Sequence, residues 1–82
     1  NHIFSYIELD EQHAIIEVAV PEDWQGRSIG ELDIRRKYGV NILGVKRNGN
    51  TDVNISPETV LDADMTLLVL GENQELKKHF RL

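Results

Sequence analysis

Residues 32–46, L-D-I-R-R-K-Y-G-V-N-I-L-G-V-K, constrain the fold more than any other stretch of the chain. The first half is polar and helix-forming, and the second half is apolar and strand-forming. Gly39 stands at the switch, where a left-handed residue closes a helix. Upstream, Ser28-Ile29-Gly30-Glu31 spells a capping box, in which Ser28 caps the helix and Glu31 reaches back. The spacing predicts a helix over 29–38 and a strand over 40–47. Asn48-Gly49 tolerates positive φ at both positions and predicts a tight hairpin, with 51–55 returning as a strand.

Residues 3–9 are rich in strand formers, and Asp10-Glu11-Gln12 reads as a turn. In 13–20, Ile16, Val18 and Val20 alternate with other residues and predict a second strand, which Pro21 ends. Residues 22–26 read as a loop carrying the only tryptophan, Trp24. Ser56-Pro57 opens a short turn or helix. Residues 65–70 predict a buried strand broken by Gly71, and 72–80, with Leu76 and Phe80 four apart, a terminal helix. The order β-β-α-β-β-turn-β-α is that of a compact α+β domain.

A chain of 82 residues makes one domain with a thin core, which association would reinforce. It lacks cysteine, so disulfides and thiolate metal sites are impossible, and the lack fits a cytoplasmic setting. No apolar run approaches the ~20 residues of a membrane span. With no initiating Met and no signal peptide, the expectation is a single domain, 1–82, excised from a longer protein. The net charge of −5 makes a poor partner for duplex nucleic acid. Six of the nine basic residues nevertheless fall within 27–47: Arg27, Arg35, Arg36, Lys37, Lys46 and Arg47. That segment can focus a small anion, or it is simply a solvated helix face and hairpin end.

No complete catalytic constellation is present. Gly26-Arg27-Ser28-Ile29-Gly30 matches the nucleophile-elbow pattern, but a loop precedes it and the chain is too short for that fold. Capping accounts for Ser28. His2, His13 and His79 lack metal-ligand spacing. Asp62-Ala63-Asp64 can attract a divalent cation, but the other oxygen ligands are not supplied locally. Neither a Rossmann nor a Walker pattern occurs. Arg35 follows Leu32 by three residues and so flanks the apolar side of its helix, where a guanidinium fork is well placed for phosphate. Asn41 offers an amide beside it, and Ile29, Ile42 and Pro57 can wall a flat ring. From the residues alone, the plainer reading is a set of ordinary core residues with Arg35 in a surface ion pair.

The runs G-R-S-I-G-E-L-D-I-R-R-K-Y-G-V-N-I-L-G-V-K-R and S-P-E-T-V-L-D-A-D-M-T-L-L-V-L-G resemble the TrkA C-terminal (RCK_C) domain family over nearly the whole chain. With the opening I-F-S-Y-I-E-L, they are most similar to the cytosolic regulators of Ktr-type potassium uptake systems. The resemblance implies a small α+β domain with a mixed or antiparallel sheet and two to three short helices, forming a two-fold dimer. It implies a nucleotide-binding domain upstream, a homodimer within a larger ring, and a membrane-embedded potassium transporter subunit as partner. The domain itself would be cytoplasmic, peripheral to the membrane, non-enzymatic and without a cofactor. Its regulatory ligand would be cyclic di-AMP, bound in the cleft between two copies and inactivating ion uptake. By motif position, Arg35 would hold phosphate and Asn41 would contact the nucleotide. Ile29, Gly30, Ile42, Gly44 and Pro57 would line the adenine pocket, with Asp33 at its edge. Gly30 stands where the family often has an aliphatic residue, and Gly44 where a small aliphatic is usual, so both thin the apolar wall. The alternative is a ligandless dimerisation or coupling module of a cation channel, antiporter or transcription regulator.

Overall fold

The structure, a computed structural model, describes residues 3–80. Strands β1 (Ile3–Glu8) and β2 (His13–Ala19) pair as an antiparallel hairpin. Its turn is closed by the Asp10 carboxylate, which accepts the backbone N–H groups of Gln12 and His13 at 2.8 Å each. The Gln12 N–H foremost, and then the His13 side chain, hold the Asp10 carboxyl below its ordinary range. A 3-10 turn (Glu22–Trp24) leads into β3 (Arg27–Ser28), α1 (Ile29–Leu32) and α2 (Ile34–Tyr38). Then come β4 (Asn41–Arg47), β5 (Asn50–Asp52), β6 (Val60–Leu61), β7 (Thr66–Glu72) and α3 (Asn73–Phe80).

The main sheet has the order β1-β2-β7-β4-β5 with every pairing antiparallel, and β3 and β6 form a separate ribbon. Side-chain alternation makes the sheet one-sided. Ala14, Ile16 and Val18 of β2 lie opposite Gly71, Val69 and Leu67 of β7, and all six are buried. Against them pack Leu32, Ile34, Leu76 and Phe80 from the helices. Trp24 closes the core at one end, its ring centroid 5.0 Å from Tyr38 and 5.6 Å from Phe80.

Three expectations need correction. The helix over 29–38 is two helices, because Asp33 sits in the left-handed region (φ 50°, ψ 49°). Its N–H closes α1 on the carbonyls of Ile29 and Gly30, and its own carbonyl accepts the Lys37 N–H at 2.9 Å. Asp is among the few residues whose short polar side chain tolerates that conformation. The strand over 51–55 is only Asn50–Asp52. Gly71 does not break β7, which runs on to Glu72. A Cβ at Gly71 would lie 2.9 Å from Val40 Cγ1, so glycine there permits close packing rather than a turn. Of the two forms expected at Ser56-Pro57 the structure has the turn, in which the Thr59 hydroxyl accepts the Ser56 N–H at 3.0 Å.

The capping box is present: Ser28 Oγ accepts the Glu31 N–H at 3.1 Å while the Glu31 carboxylate accepts the Ser28 N–H. Ser28→Ala is expected to cost about 1 kcal/mol. For a domain of this size that lowers the melting temperature by roughly 4–8 °C, readable by circular dichroism.

Candidate functional site

Two backbone hydrogen bonds build one wall of a cleft. Ile29 N–H donates to Thr59 O at 2.9 Å, and Gly30 N–H donates to Pro57 O at 2.8 Å. They hold the first turn of α1 against the 57–59 segment. Gly30 permits this approach, because a Cβ there would stand 3.0 Å from both Pro57 Cβ and Pro57 O. The opposite side comes from α2 and the start of β4. The resulting cleft is open to solvent and holds about 270 Å³. It brings together Ile29, Gly30, Asp33, Arg35, Asn41, Ile42 and Pro57, seven of the eight residues singled out from sequence. Gly44 is not among its lining residues. It lies buried under β5, where a Cβ would meet Asp52 O at 2.8 Å.

Ile34, Val40 and Ile55 also line the cleft. Ile34 and Val40 were visible in sequence as apolar neighbours of Arg35 and Asn41, each one residue away. Ile55 was expected to end a strand over 51–55, but it belongs to no strand or helix, so its place in the cleft was not legible.

Of the basic residues in 27–47, only Arg35 and Lys37 lack a side-chain partner among the described residues, and of these two only Arg35 lines the cleft. Arg27 pairs with Glu31 at 3.1 Å, and Arg36 pairs with Asp33. Lys46 lies 3.8 Å from Glu17, and Arg47 binds Asp62 at 2.8 Å and Asp64 at 3.2 Å. Arg35 has no side-chain partner among the described residues, and neither does the Asn41 amide. The cleft's one carboxylate, Asp33, is already engaged by Arg36. An apolar cleft therefore opens beside a free guanidinium and a free amide, a combination that suits a flat ring carrying an anionic group. The left-handed Asp33 produces it, by starting α2 in a phase that buries Ile34 and leaves Arg35 exposed at the cleft.

The other candidates are occupied by structural roles. Ser28 caps α1, and Asp62 and Asp64 neutralise Arg47. His13 closes the β1–β2 turn with Asp10, and the His79 ring packs edge-on to Tyr38, centroids 5.0 Å apart. His2 lies outside the described residues. Among the described residues no group of three or more His, Asp or Glu side chains can hold a metal. No helix among them is long and apolar enough to cross a membrane.

The chain is similar to several known proteins. The chain is 31% identical over 78 residues to the Ktr system potassium uptake protein C of Bacillus subtilis, covering 95% of this chain and 35% of that protein. It is 27% identical over 77 residues to the Ktr system potassium uptake protein A of the same organism, with 94% and 35% covered. The chain thus spans about a third of these relatives. Among solved structures, the RCK C domain of the potassium transport protein KtrA, in complex with cyclic di-AMP, superposes with a TM-score of 0.73 at 33% identity, covering 80% of this chain and 78% of that one. The GsuK RCK domain superposes with a TM-score of 0.79 at 29% identity, covering 95% and 17%. The TrkA-C domain model matches residues 14–82, from the second strand of the sheet onwards, and the chain belongs to that family.

Proposed function

We propose that this domain is the ligand-sensing regulatory module of a potassium transport system, binding cyclic di-AMP between two copies of itself and thereby inactivating uptake. The observation that carries this reading is the unpaired Arg35 guanidinium at the mouth of an apolar cleft. Pockets that enclose a whole drug-sized ligand run from ~300 to 1,000 Å³. A cleft of about 270 Å³ falls below that range, and it suits one base and one phosphate, half of a two-fold dinucleotide. A two-fold pair of domains would present Arg35 twice, once to each phosphate. The known complex of the KtrA RCK C domain with the same ligand supports the choice of compound.

The ligand would act through its differential affinity for two relative poses of the subunits, which a cytoplasmic ring could pass to a membrane-embedded transporter subunit. Titration calorimetry of the chain with cyclic di-AMP tests the reading, and saturable heat is expected. Absence of heat would favour the second reading, a ligandless dimerisation or coupling module. Gly30→Ala bears on the same wall. Ala gains ~0.5–1 kcal/mol of helix propensity, which offsets the strain against Pro57, so the melting temperature should change little. Pro57 is pushed outward, and affinity for cyclic di-AMP is expected to fall several-fold in the same titration.

A further inference from the structure

Two charged side chains line the cleft, Asp33 and Arg35, and their signs oppose. By themselves they would leave it electrically neutral, a poor receiver of anions. Arg36 changes that balance without lining the cleft. Its Nε donates to Asp33 Oδ2 at the i, i+3 spacing where helical side chains meet. Arg36 otherwise faces water, with 78% of its side chain exposed against 39% for Asp33. Asp33 is held on both sides of its backbone. Its N–H donates to the Ile29 and Gly30 carbonyls at 3.2 Å each, and its carbonyl accepts the Lys37 N–H at 2.9 Å. The carboxylate therefore stays at the cleft, and Arg36 is its ion-pair partner.

We propose that Arg36 is a positioning residue for the anion site: by holding and neutralising the Asp33 carboxylate, it leaves Arg35 as the cleft's one uncompensated charge. The inference rests on the function proposed above and adds the residue that lets the cleft accept a phosphate. Without Arg36 the Asp33 carboxylate has two courses, and both oppose an anion. It stays free and repels the phosphate across a partly desolvated cleft, where charges act more strongly than in bulk water. Or it swings onto the Arg35 guanidinium and takes the donors that a phosphate would use. For folding, so exposed a pair is worth little, so its consequence lies in binding.

Calorimetry with cyclic di-AMP, and phosphorus NMR with adenosine monophosphate, compare wild type with Arg36→Ala, Asp33→Asn and the double variant. Asn tolerates the left-handed conformation, so Asp33→Asn keeps the break between α1 and α2, and circular dichroism checks each fold. At low salt Arg36→Ala is expected to lower affinity roughly 3–10-fold. The ratio to wild type should shrink at about 1 M salt, where the screening length falls to ~3 Å. With Asp33→Asn already in place, the same replacement should change affinity by less than about twofold. Arg36→Lys restores the charge and should recover most of the loss. An Arg36→Ala chain that binds as wild type does, or equal losses in both backgrounds, overturns the proposal and leaves the ligand assignment standing. Uptake of adenosine monophosphate but not of cyclic di-AMP, with the same dependence on Asp33, removes the dinucleotide and leaves the role of Arg36 standing. Uptake of neither removes both.

Discussion

Arg35→Ala is expected to weaken cyclic di-AMP binding by at least ~100-fold while leaving the fold intact. A hydrogen bond to a charged group is worth roughly 1.5–3 kcal/mol, and the two-fold site loses one such anchor from each subunit. The combined loss is about 3–6 kcal/mol, or roughly 10²–10⁴-fold in affinity. Because the Arg35 side chain has no partner among the described residues, its removal strands no buried group. Lys37→Ala is the matched control. Lys37 is exposed and does not line the cleft, so calorimetry should find its effect within about threefold, as for a solvated surface charge. Arg35→Lys should fall between wild type and Ala, since an ammonium keeps the charge but not the planar fork.

Trp24→Ala is expected to be the most destabilising single truncation. Trp24 is only 2% exposed and joins Tyr38 of α2 to Phe80 of α3. Truncating a buried Trp costs about 3–5 kcal/mol. At ~0.05–0.15 kcal/mol per residue a domain of this length has only about 4–12 kcal/mol in total. The variant should be largely unfolded, or melt far below wild type, when urea unfolding is followed by far-ultraviolet circular dichroism. Trp24→Phe keeps an aromatic partner and should lose much less. An unchanged midpoint in Trp24→Ala would show that the α2–α3 end of the core carries little of the stability.

Most of the sheet was legible from two different signals. Ile16, Val18 and Val20 announce β2 by alternation, and the unbroken apolar run before Gly71 announces β7, the central strand. The capping box was equally plain, since its chemistry is local and repeats in any fold. The ribbon of β3 and β6 was not legible, because two residues per strand carry no period. The break at Asp33 was hidden for a different reason. Asp is common in unbroken helices, and only the tertiary burial of Ile34 against the sheet selects the left-handed turn. Trp24 read as a loop residue because nothing in 22–26 shows that the chain there lies over the ends of two helices. The cleft was legible as residue types, and Gly44 marks the limit: its partner is the Asp52 carbonyl across a hairpin, a contact that no local pattern encodes.

Native mass spectrometry of the chain with saturating cyclic di-AMP tests the central claim most directly, because it counts chains and ligands in one species. The account predicts two chains carrying one dinucleotide, and two chains carrying none when Arg35 is Ala. One chain holding one dinucleotide, or two chains holding two, would contradict it.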